Sequence, residues 1–347
     1  MDIRENVPLA PMTTFRIGGP ARWFVEAATE ADVRAAVQHA AEHKLPLFVL
    51  GGGSNLLVSD DGFPGLVLRI ALRGIEERES AGKRISEAAA GEDWDAFVAL
   101  AVSRGCAGIE CLSGIPGTVG GTPVQNVGAY GQEVADTISS VRVLDTTSGE
   151  ITDLANSDAG FTYRSSIFNS AQRGRYIVLR VAYALAPGAP PRVEYADLKQ
   201  YFEGKPQPTL AETREAVRQI RLSKAMLLVP GDEDSRSAGS FFKNPIISTT
   251  EYARIAGIVA SRGLKPPSYP APDGRVKLAA AWLVEQSGFT KGYVRGAAGI
   301  SRRHALAIVN RGGASAADIL ALKDEIQQRV FDSFGLQLQP EPVFLGF

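Results

Sequence analysis

The sequence predicts a mixed fold of α-helices and β-strands in two or three domains. Strand-like and helix-like apolar patterns alternate along the chain, glycine-rich loops separate several of them, and the 347 residues exceed the roughly 100 to 200 that one domain usually holds. Hydrophobic residues make up 45% of the chain and charged residues 22%, so it can bury a core, and intrinsic disorder is excluded.

The first elements are a strand, a capped helix and two buried strands. Residues 23–26 have a strand pattern, and Thr29 can cap a helix whose apolar positions recur at helical spacing and which Pro46 ends. A buried strand at 47–50 leads directly into the GGGSN segment, residues 51–55, and another strand follows at 66–70. We call residues 51–55 the first glycine loop.

The middle of the chain predicts a helix, a second loop and three strands. A helix with Trp94 and Phe97 on one face leads to residues 114–121, a stretch that glycine and proline keep from regular structure and that we call the second glycine loop. Strands at 141–144 and 151–154 form a predicted hairpin, and 176–185 predicts a long strand.

A linker is predicted at residues 186–191, because its prolines and glycine oppose both helix and central strand. We expect a domain boundary near it. Helices are predicted beyond it at 210–220, 277–286 and 316–334, with strands at 305–310 and around 343–345.

Composition narrows the function classes. The 37 basic and 38 acidic residues nearly cancel, so no global field favours nucleic acid or an anionic membrane. No apolar run approaches the roughly 20 residues of a membrane helix, so we expect a cytoplasmic protein without membrane insertion.

Cys106 and Cys111 are too few for a disulfide scaffold. His39 and His43 have metal-ligand spacing without a third ligand, so we predict no metal.

The two glycine loops predict a phosphate site. Glycines after a strand let backbone N–H groups turn toward an anion, and Ser54 and Asn55 add side-chain donors. The first loop alone is equally compatible with a tight turn, but the second loop and residues 125–131 add a further glycine-rich run with amide side chains. Neither loop has the Rossmann or P-loop pattern, which disfavours a doubly wound dinucleotide fold and an ATPase.

Six ordered motifs resemble the UDP-N-acetylenolpyruvoylglucosamine reductases of bacterial cell-wall precursor synthesis, over nearly the whole chain. They are TFRIGG at 14–19, GGGSN at 51–55, GIPG at 114–117 with QNVGAYG at 125–131, YRSSIF at 163–168, GSFFKNP at 239–245 and PE at 340–341. Such an enzyme passes a hydride from NADPH through FAD to UDP-N-acetylglucosamine enolpyruvate.

The resemblance implies an α+β fold with a vanillyl-alcohol-oxidase/PCMH-type FAD-binding domain followed by a smaller α+β substrate-binding domain. We assign the FAD domain to residues 1–188, with subdomains of about 1–70 and 71–188. A linker with a substrate-covering tyrosine loop follows at 189–206, and the substrate domain at 207–347. The resemblance also implies that FAD is bound noncovalently. No histidine lies in either glycine loop, where a covalent link to the flavin would be expected.

The chemistry needs a proton donor and groups that offset the charge of an enolate-like intermediate. By resemblance Ser240 donates the proton, Arg164 binds a carboxylate or enolate, and Glu341 polarises the substrate carboxylate or delivers protons. Without the motifs, Ser240 would be interpreted as a turn residue, Arg164 as a packing residue and Glu341 as a surface glutamate. Glu341, however, lies in an apolar tail, where an unpartnered charge is costly.

The remaining site residues also follow from the resemblance. Cofactor binding is assigned to the two glycine loops, their neighbours and one arginine: Gly51, Gly52, Gly53, Ser54, Asn55, Gly114, Pro116, Gly117, Gly120, Gly121, Asn126, Gly128 and Arg221. Binding of the UDP-sugar is assigned to Tyr130, Tyr195, Lys224, Asn244, Lys291 and His304. Cations are needed there because the diphosphate has to be neutralised locally.

The chain departs from the family pattern in three places. Ser165 and Asn169 replace the usual aspartate and lysine after Arg164, residues 225–238 replace a short Lys-Leu-Pro-Asp-Pro segment, and Val343 stands where arginine is frequent. Two alternatives remain open: another FAD oxidoreductase of the same fold, and a nonenzymatic regulator that binds flavin or a nucleotide sugar. We further expect a monomer and ping-pong kinetics.

Overall fold

The computed structural model describes all 347 residues, in seven α-helices and twenty strands. The helices are α1 Glu30–Glu42, α2 Trp94–Ser103, α3 Ala196–Tyr201, α4 Leu210–Ser223, α5 Thr249–Ala260, α6 Ala280–Gln286 and α7 Ala316–Phe334. None of these helices combines the length and the apolar character that crossing a membrane requires.

The strands are mostly short. They are β1 Arg4–Pro8, β2 Pro20–Ala27, β3 Leu47–Leu50, β4 Leu56–Val58, β5 Phe63–Ile70, β6 Ile75–Ser80, β7 Lys83–Ala89, β8 Cys106–Ala107, β9 Gly128–Ala129, β10 Gln132–Glu133, β11 Ile138–Asp145, β12 Ile151–Ala155, β13 Tyr176–Pro187, β14 Ile246–Ile247, β15 Ser268–Pro270, β16 Val276–Leu278, β17 Val294–Arg295, β18 Ala298–Ile300, β19 Ile308–Asn310 and β20 Val343–Leu345.

The chain divides into two compact units. Unit 1 contains residues 1–7, 21–53 and 63–227, and unit 2 contains residues 8–20, 54–62 and 228–347. The predicted linker at 189–206 lies inside unit 1, because α3 and α4 bury Leu198, Ala216 and Val217 against Cys111 and Tyr130. The division therefore falls after Leu227 and not at the linker that the prolines predicted.

Unit 1 has two larger sheets and the two-stranded antiparallel β10-β9 sheet. One has the order β1-β2-β5-β3 with parallel β2-β5 and β3-β5 pairs, and the other has the antiparallel order β12-β11-β13-β7-β6, with β8 also pairing with β13. Thr29 caps α1 through a hydrogen bond from the Asp32 N–H, and Asp32 returns a bond to the Thr29 N–H. A single apolar core joins these sheets to α1 and α2, with Trp94 and Phe97 among its buried members.

Unit 2 surrounds α7 with short sheets. The order β14-β16-β15 forms one sheet, β17-β18-β19 a second, and β20 pairs in parallel with β4. Ser315 and Asp318 form a capping box at the start of α7, and Gly335 ends it in the left-handed conformation. Phe15, Ile17 and Leu57 lie in the same apolar core as α7, so two early segments of the chain complete this unit.

Most predicted elements are confirmed, two differ, and some observed elements were not predicted. The 277–286 helix is the strand β16 followed by α6, because residues 276–278 pair with β14 and β15. The 305–310 strand is limited to β19, since residues 301–307 form a loop with its own hydrogen bonds. Helix α5 was not predicted from the sequence.

Candidate active site

The three glycines of the first glycine loop meet the second glycine loop within unit 1. A Cβ on Gly52 would lie 2.6 Å from the Cα of Gly117, and a Cβ on Gly51 would lie 3.0 Å from Oγ1 of Thr118. Gly53 and Gly117 have φ values of 63° and 132°, which side chains rarely adopt. Only glycine therefore lets these backbones approach so closely, in the way that the sequence predicted for an anion cradle.

A carboxylate of α2 holds the start of the second glycine loop. Oδ1 of Asp95 accepts hydrogen bonds from the Gly114 N–H at 2.6 Å and from Nη1 of Arg214 at 2.6 Å. Oδ2 accepts bonds from Nη2 of Arg214 at 3.0 Å and from Nη1 of Arg218 at 2.6 Å. One acidic side chain thus fixes the loop to two arginines of α4.

Arg221, one helical turn beyond Arg218, points into the same region. Its side chain is 6% exposed, its Nη2 donates to the Met226 carbonyl at 2.7 Å, and its Nε is buried without a hydrogen-bond partner. A Cβ on Gly114 would lie 3.4 Å from that Nε. Burial lowers the pKa of Arg221, although the neighbouring Tyr130 and Asp95 partly offset the effect. A buried cationic donor therefore lies against the second glycine loop.

Asn126, Gly128 and Arg164 form one hydrogen-bonded turn. The buried Asn126 amide donates to Glu133 at 2.8 Å and to the Thr162 carbonyl at 3.0 Å, and its oxygen accepts from the Ala135 N–H. Nη2 of Arg164 donates to the Gly128 carbonyl at 2.7 Å. The side chain of Asn126 is thus used inside the protein, so any contact with a ligand falls to its backbone.

Three residues of this region have left-handed backbones although they are not glycine. They are Asn126, Tyr130 and Arg164, with φ values of 45°, 50° and 55°. Such strained residues persist only where surrounding contacts hold them, and they concentrate at functional sites. The turn around Arg164 is held by paired backbone bonds between Thr162 and Ser165.

The predicted UDP-sugar residues of unit 1 also lie together. The rings of Tyr130 and Tyr195 meet edge to face with centroids 5.4 Å apart, and Lys224 forms an ion pair with Asp197. Burial raises the pKa of the Tyr130 hydroxyl, and the positive charges of Arg221 and Lys224 oppose that shift. Tyr195 is 44% exposed, so it combines a ring contact with an accessible surface.

Ser240 lies between two other segments of unit 2. Its hydroxyl is 3.0 Å from Nε2 of His304. The next residue, Phe241, donates its N–H to the Leu306 carbonyl at 2.8 Å and accepts the Glu341 N–H at 2.8 Å. The backbone therefore brings Ser240, His304 and Glu341 into one neighbourhood, although they are distant in the sequence. The contact between Ser240 and His304 was not predicted, because no sequence pattern links the two motifs.

The C-terminal tail is fixed by Asn55. Its Nδ2 donates to the Glu341 carbonyl at 3.2 Å, and its own carbonyl accepts the Val343 N–H at 2.9 Å. Thr14 donates to the Ser54 carbonyl at 3.4 Å and to the Ser237 carbonyl at 2.6 Å. Asn55 therefore holds the Glu341 backbone, a role that its place in a glycine loop did not suggest.

Asn244 and Lys291 are the two remaining residues predicted to bind the UDP-sugar, and their environments differ from each other. Oδ1 of Asn244 accepts the Ala280 N–H at 2.9 Å, so it binds the start of α6. Lys291 is exposed in the turn after α6.

These features fit FAD on grounds of chemistry. The glycine cradle suits a pyrophosphate, and the orphaned buried donor of Arg221 offers a charged hydrogen bond beside it. Within unit 1, the residues that would hold the group are the glycines of the first glycine loop, the second glycine loop and Arg221.

Comparison with known proteins gives two matching family models. Residues 21–155 match an FAD binding domain, and residues 231–345 match the C-terminal domain of UDP-N-acetylenolpyruvoylglucosamine reductase. The second match begins shortly after the division that the structure places behind Leu227.

Curated relatives and a solved structure agree with these models. The UDP-N-acetylenolpyruvoylglucosamine reductase of Streptomyces coelicolor is 47% identical over 99% of this chain and 90% of its own length. The reductase of Thermobifida fusca is 46% identical over 99% of this chain and 98% of its own length. The crystal structure of the Thermus caldophilus reductase aligns with a TM-score of 0.68 at 27% identity, covering 99% of this chain and all of that one.

Proposed function

This chain belongs to the UDP-N-acetylenolpyruvoylglucosamine reductase family, and from that membership we propose how its residues reduce UDP-N-acetylglucosamine enolpyruvate to UDP-N-acetylmuramate. The chain is an FAD-dependent oxidoreductase that uses NADPH in peptidoglycan precursor synthesis. The observation that carries the residue assignment is the convergence of Ser240 and Glu341 on the backbone of Phe241.

FAD, when bound, supplies the hydride carrier between NADPH and the substrate. We propose that Gly51, Gly52, Gly53, Ser54, Asn55, Gly114, Pro116, Gly117, Gly120, Gly121, Asn126, Gly128 and Arg221 bind it. The close approach of Gly52 to Gly117 and the unpartnered Nε of Arg221 support this assignment. The pyrophosphate charge is then offset locally, as a chain with nearly equal acidic and basic counts requires.

The reduction adds a hydride to the terminal carbon of the enolpyruvyl group and a proton to the carbon next to the carboxylate. We assign that proton to the Ser240 hydroxyl, and the stabilisation of the intermediate negative charge to Arg164 and Glu341. The planar guanidinium of Arg164 is suited to a carboxylate, and its left-handed backbone is consistent with a position under functional constraint.

The UDP-sugar is assigned to Tyr130, Tyr195, Lys224, Asn244, Lys291 and His304. The ring contact of Tyr130 with Tyr195 and the ion pair of Lys224 with Asp197 support a common site for three of them. A diphosphate would compete with Asp197 for the ammonium of Lys224. We further propose that the protein acts in the cytoplasm as a monomer, with residues 189–206 covering the substrate.

The test is anaerobic stopped-flow absorbance of the flavin band in the purified protein. NADPH should bleach the yellow colour, and UDP-N-acetylglucosamine enolpyruvate should restore it. Double-reciprocal plots should be parallel if both substrates use one site in turn, and intersecting lines would contradict the ping-pong order. A flavin that NADPH bleaches but this substrate does not reoxidise would indicate another oxidoreductase.

A further inference from the structure

His304 is the histidine nearest to a proposed catalytic group. Its Nε2 lies 3.0 Å from Oγ of Ser240, which is hydrogen-bond distance. The chain has three histidines, and the other two, His39 and His43, belong to α1 and its C-terminal cap in unit 1. Ser240 is thus paired with a type of side chain that can both gain and lose a proton near neutral pH, whereas a serine hydroxyl does not ionise in that range.

Hydrogen bonds within the loop hold the backbone of His304. We call residues 301–307 the His304 loop. The Ala307 N–H donates to the His304 carbonyl at 3.2 Å, the Ser301 N–H donates to the Ala307 carbonyl at 2.9 Å, and Oγ of the buried Ser301 accepts the Arg303 N–H at 3.1 Å. These bonds hold the His304 backbone without help from a ligand.

A second set of contacts comes from the segment that departs from the family pattern. We call residues 232–234 the acidic turn. Arg303 forms ion pairs with Asp232 and Asp234, and Oδ1 of Asp234 accepts the Arg302 N–H at 3.2 Å. Asp234 is buried at 6% exposure, whereas the side chains of Arg303 and Asp232 are partly exposed. The acidic turn therefore fixes the residues directly before His304.

We propose that His304 returns a proton to Ser240 after each reduction, and that the acidic turn positions it through Arg303. This proposal rests on the reductase function proposed above. A serine that protonates carbon becomes an alkoxide, and a second turnover requires that the hydroxyl be restored. His304 acts on the proton through Ser240, so this role as a positioning and proton-returning residue is additional to the UDP-sugar contact proposed above.

The proton balance is complete. The O–H bond of Ser240 breaks as a C–H bond forms on the carbon next to the substrate carboxylate. The alkoxide then takes the Nε2 proton of the His304 imidazolium, and the neutral imidazole regains a proton from water. Each product therefore consumes one hydride from NADPH and one proton from water.

The first test separates the two half-reactions in the FAD-loaded enzyme. His304→Gln should leave bleaching by NADPH at the wild-type rate and slow the return of colour by about 10²- to 10⁴-fold, the range that general acid catalysis spans. His43→Gln, the matched control in unit 1, should leave both steps unchanged. Wild-type reoxidation in His304→Gln, or equal slowing of both steps, would overturn the relay.

Two further variants separate proton return from packing. Added imidazole should restore reoxidation in His304→Ala. It should not improve reoxidation in Arg303→Gln, because that variant retains a displaced His304. Arg303→Gln should slow the same step less than His304→Gln does. Failure of imidazole to restore His304→Ala that still contains its FAD would contradict the proposal.

A readout independent of activity is ¹⁵N NMR of the three histidine rings at one fixed pH. Ser240→Ala should shift the Nε2 signal of one histidine alone, and that signal should be absent in His304→Gln. An unchanged spectrum would exclude the hydrogen bond and overturn the relay. If this shift is seen but the substrate does not reoxidise the wild-type flavin, the result contradicts the proposed reductase function. The proton relay, which depends on that function, is then overturned as well.

Discussion

The carboxylate of Asp95 accepts the backbone N–H of Gly114 at 2.6 Å, so a helix side chain fixes the first residue of the second glycine loop. The same carboxylate binds Arg214 and Arg218, four residues apart on α4. Removing its charge therefore disturbs both the loop and the helix that carries Arg221.

We expect Asp95→Asn to weaken FAD binding about tenfold. The amide can replace one accepted bond but not the charge that offsets two arginines, and Asp95 is only partly buried, so we expect a cost near the lower end of the about 1–3 kcal/mol of an imperfectly satisfied buried group. Flavin fluorescence titration of the apoprotein measures the effect. Asp93→Asn, which changes the cap of the same helix, is the matched control and should have little effect on FAD affinity. Equal affinity in Asp95→Asn and wild type would contradict the role assigned to the carboxylate.

The stabilising effect of Asp95 should depend on pH. Burial favours a higher pKa for this carboxyl, but the hydrogen bonds from Arg214 and Gly114 and the charges of Arg214 and Arg218 outweigh burial and lower it. A lowered folded-state pKa contributes stability that is fully present above the unfolded value of about 3.9 and is lost as pH falls through the folded value.

Urea unfolding should therefore show wild type to be more stable than Asp95→Asn at pH 7. The difference should stay constant down to about pH 5 and shrink below about pH 4. A difference that grows on acidification would show that the carboxylate is not stabilised by its partners.

The sequence predicted the local elements better than the assembly of the units. Helix α7 was predicted with its observed bounds, and in the structure Gly335 ends it in the left-handed conformation. The prolines of 186–191 predicted a boundary that α3 and α4 override by packing on Cys111 and Tyr130. Pairing of β4 with β20 depends on contacts between the two ends of the chain, which no local pattern encodes.

For the site residues too, local sequence patterns did not predict contacts that depend on tertiary packing. Family motifs nominated Ser240 and Glu341, and the glycine loops predicted an anion site only when the two were considered together. Asp95 and the contact of His304 with Ser240 were not predicted, because a helix carboxylate and a loop histidine have no distinguishing spacing. Such partners are determined by tertiary packing.

Gly52→Ala should abolish tight FAD binding without unfolding the protein. Its Cβ would lie 2.6 Å from the Gly117 Cα, so the two loops must separate, and overpacking of this kind costs about 1–3 kcal/mol. Flavin content after purification and the melting temperature measure the two effects. Gly257→Ala in α5, where a Cβ meets nothing within 4 Å, is the control and should retain full flavin. Full flavin in Gly52→Ala would contradict the cradle.

Cys111 should be unreactive in the folded protein. Burial, reinforced by the nearby Glu110 charge, raises the pKa of its thiol, and Sγ donates to the Arg192 carbonyl at 3.1 Å. Cys106 is also fully buried. A thiol-specific disulfide reagent at pH 8 should titrate neither cysteine in the native protein and both after guanidinium unfolding. Rapid reaction of a native thiol would show that the segment around Arg192 opens in solution.

Ser240→Ala should damage one half of the reaction only. Methyl cannot donate a proton, so the return of flavin colour on adding the enolpyruvyl substrate should slow by about 10²- to 10⁴-fold, while bleaching by NADPH proceeds as in wild type. Ser287→Ala, a serine of unit 2 whose hydroxyl donates to the Leu283 carbonyl at 2.9 Å, is the control and should affect neither step strongly. Because removing the hydroxyl leaves the Phe241 backbone bonds intact, Glu341 should keep its place, and substrate affinity should change little. Equal slowing of both half-reactions in Ser240→Ala would assign the serine a structural role and leave the proton donor to be found among the other groups of the site.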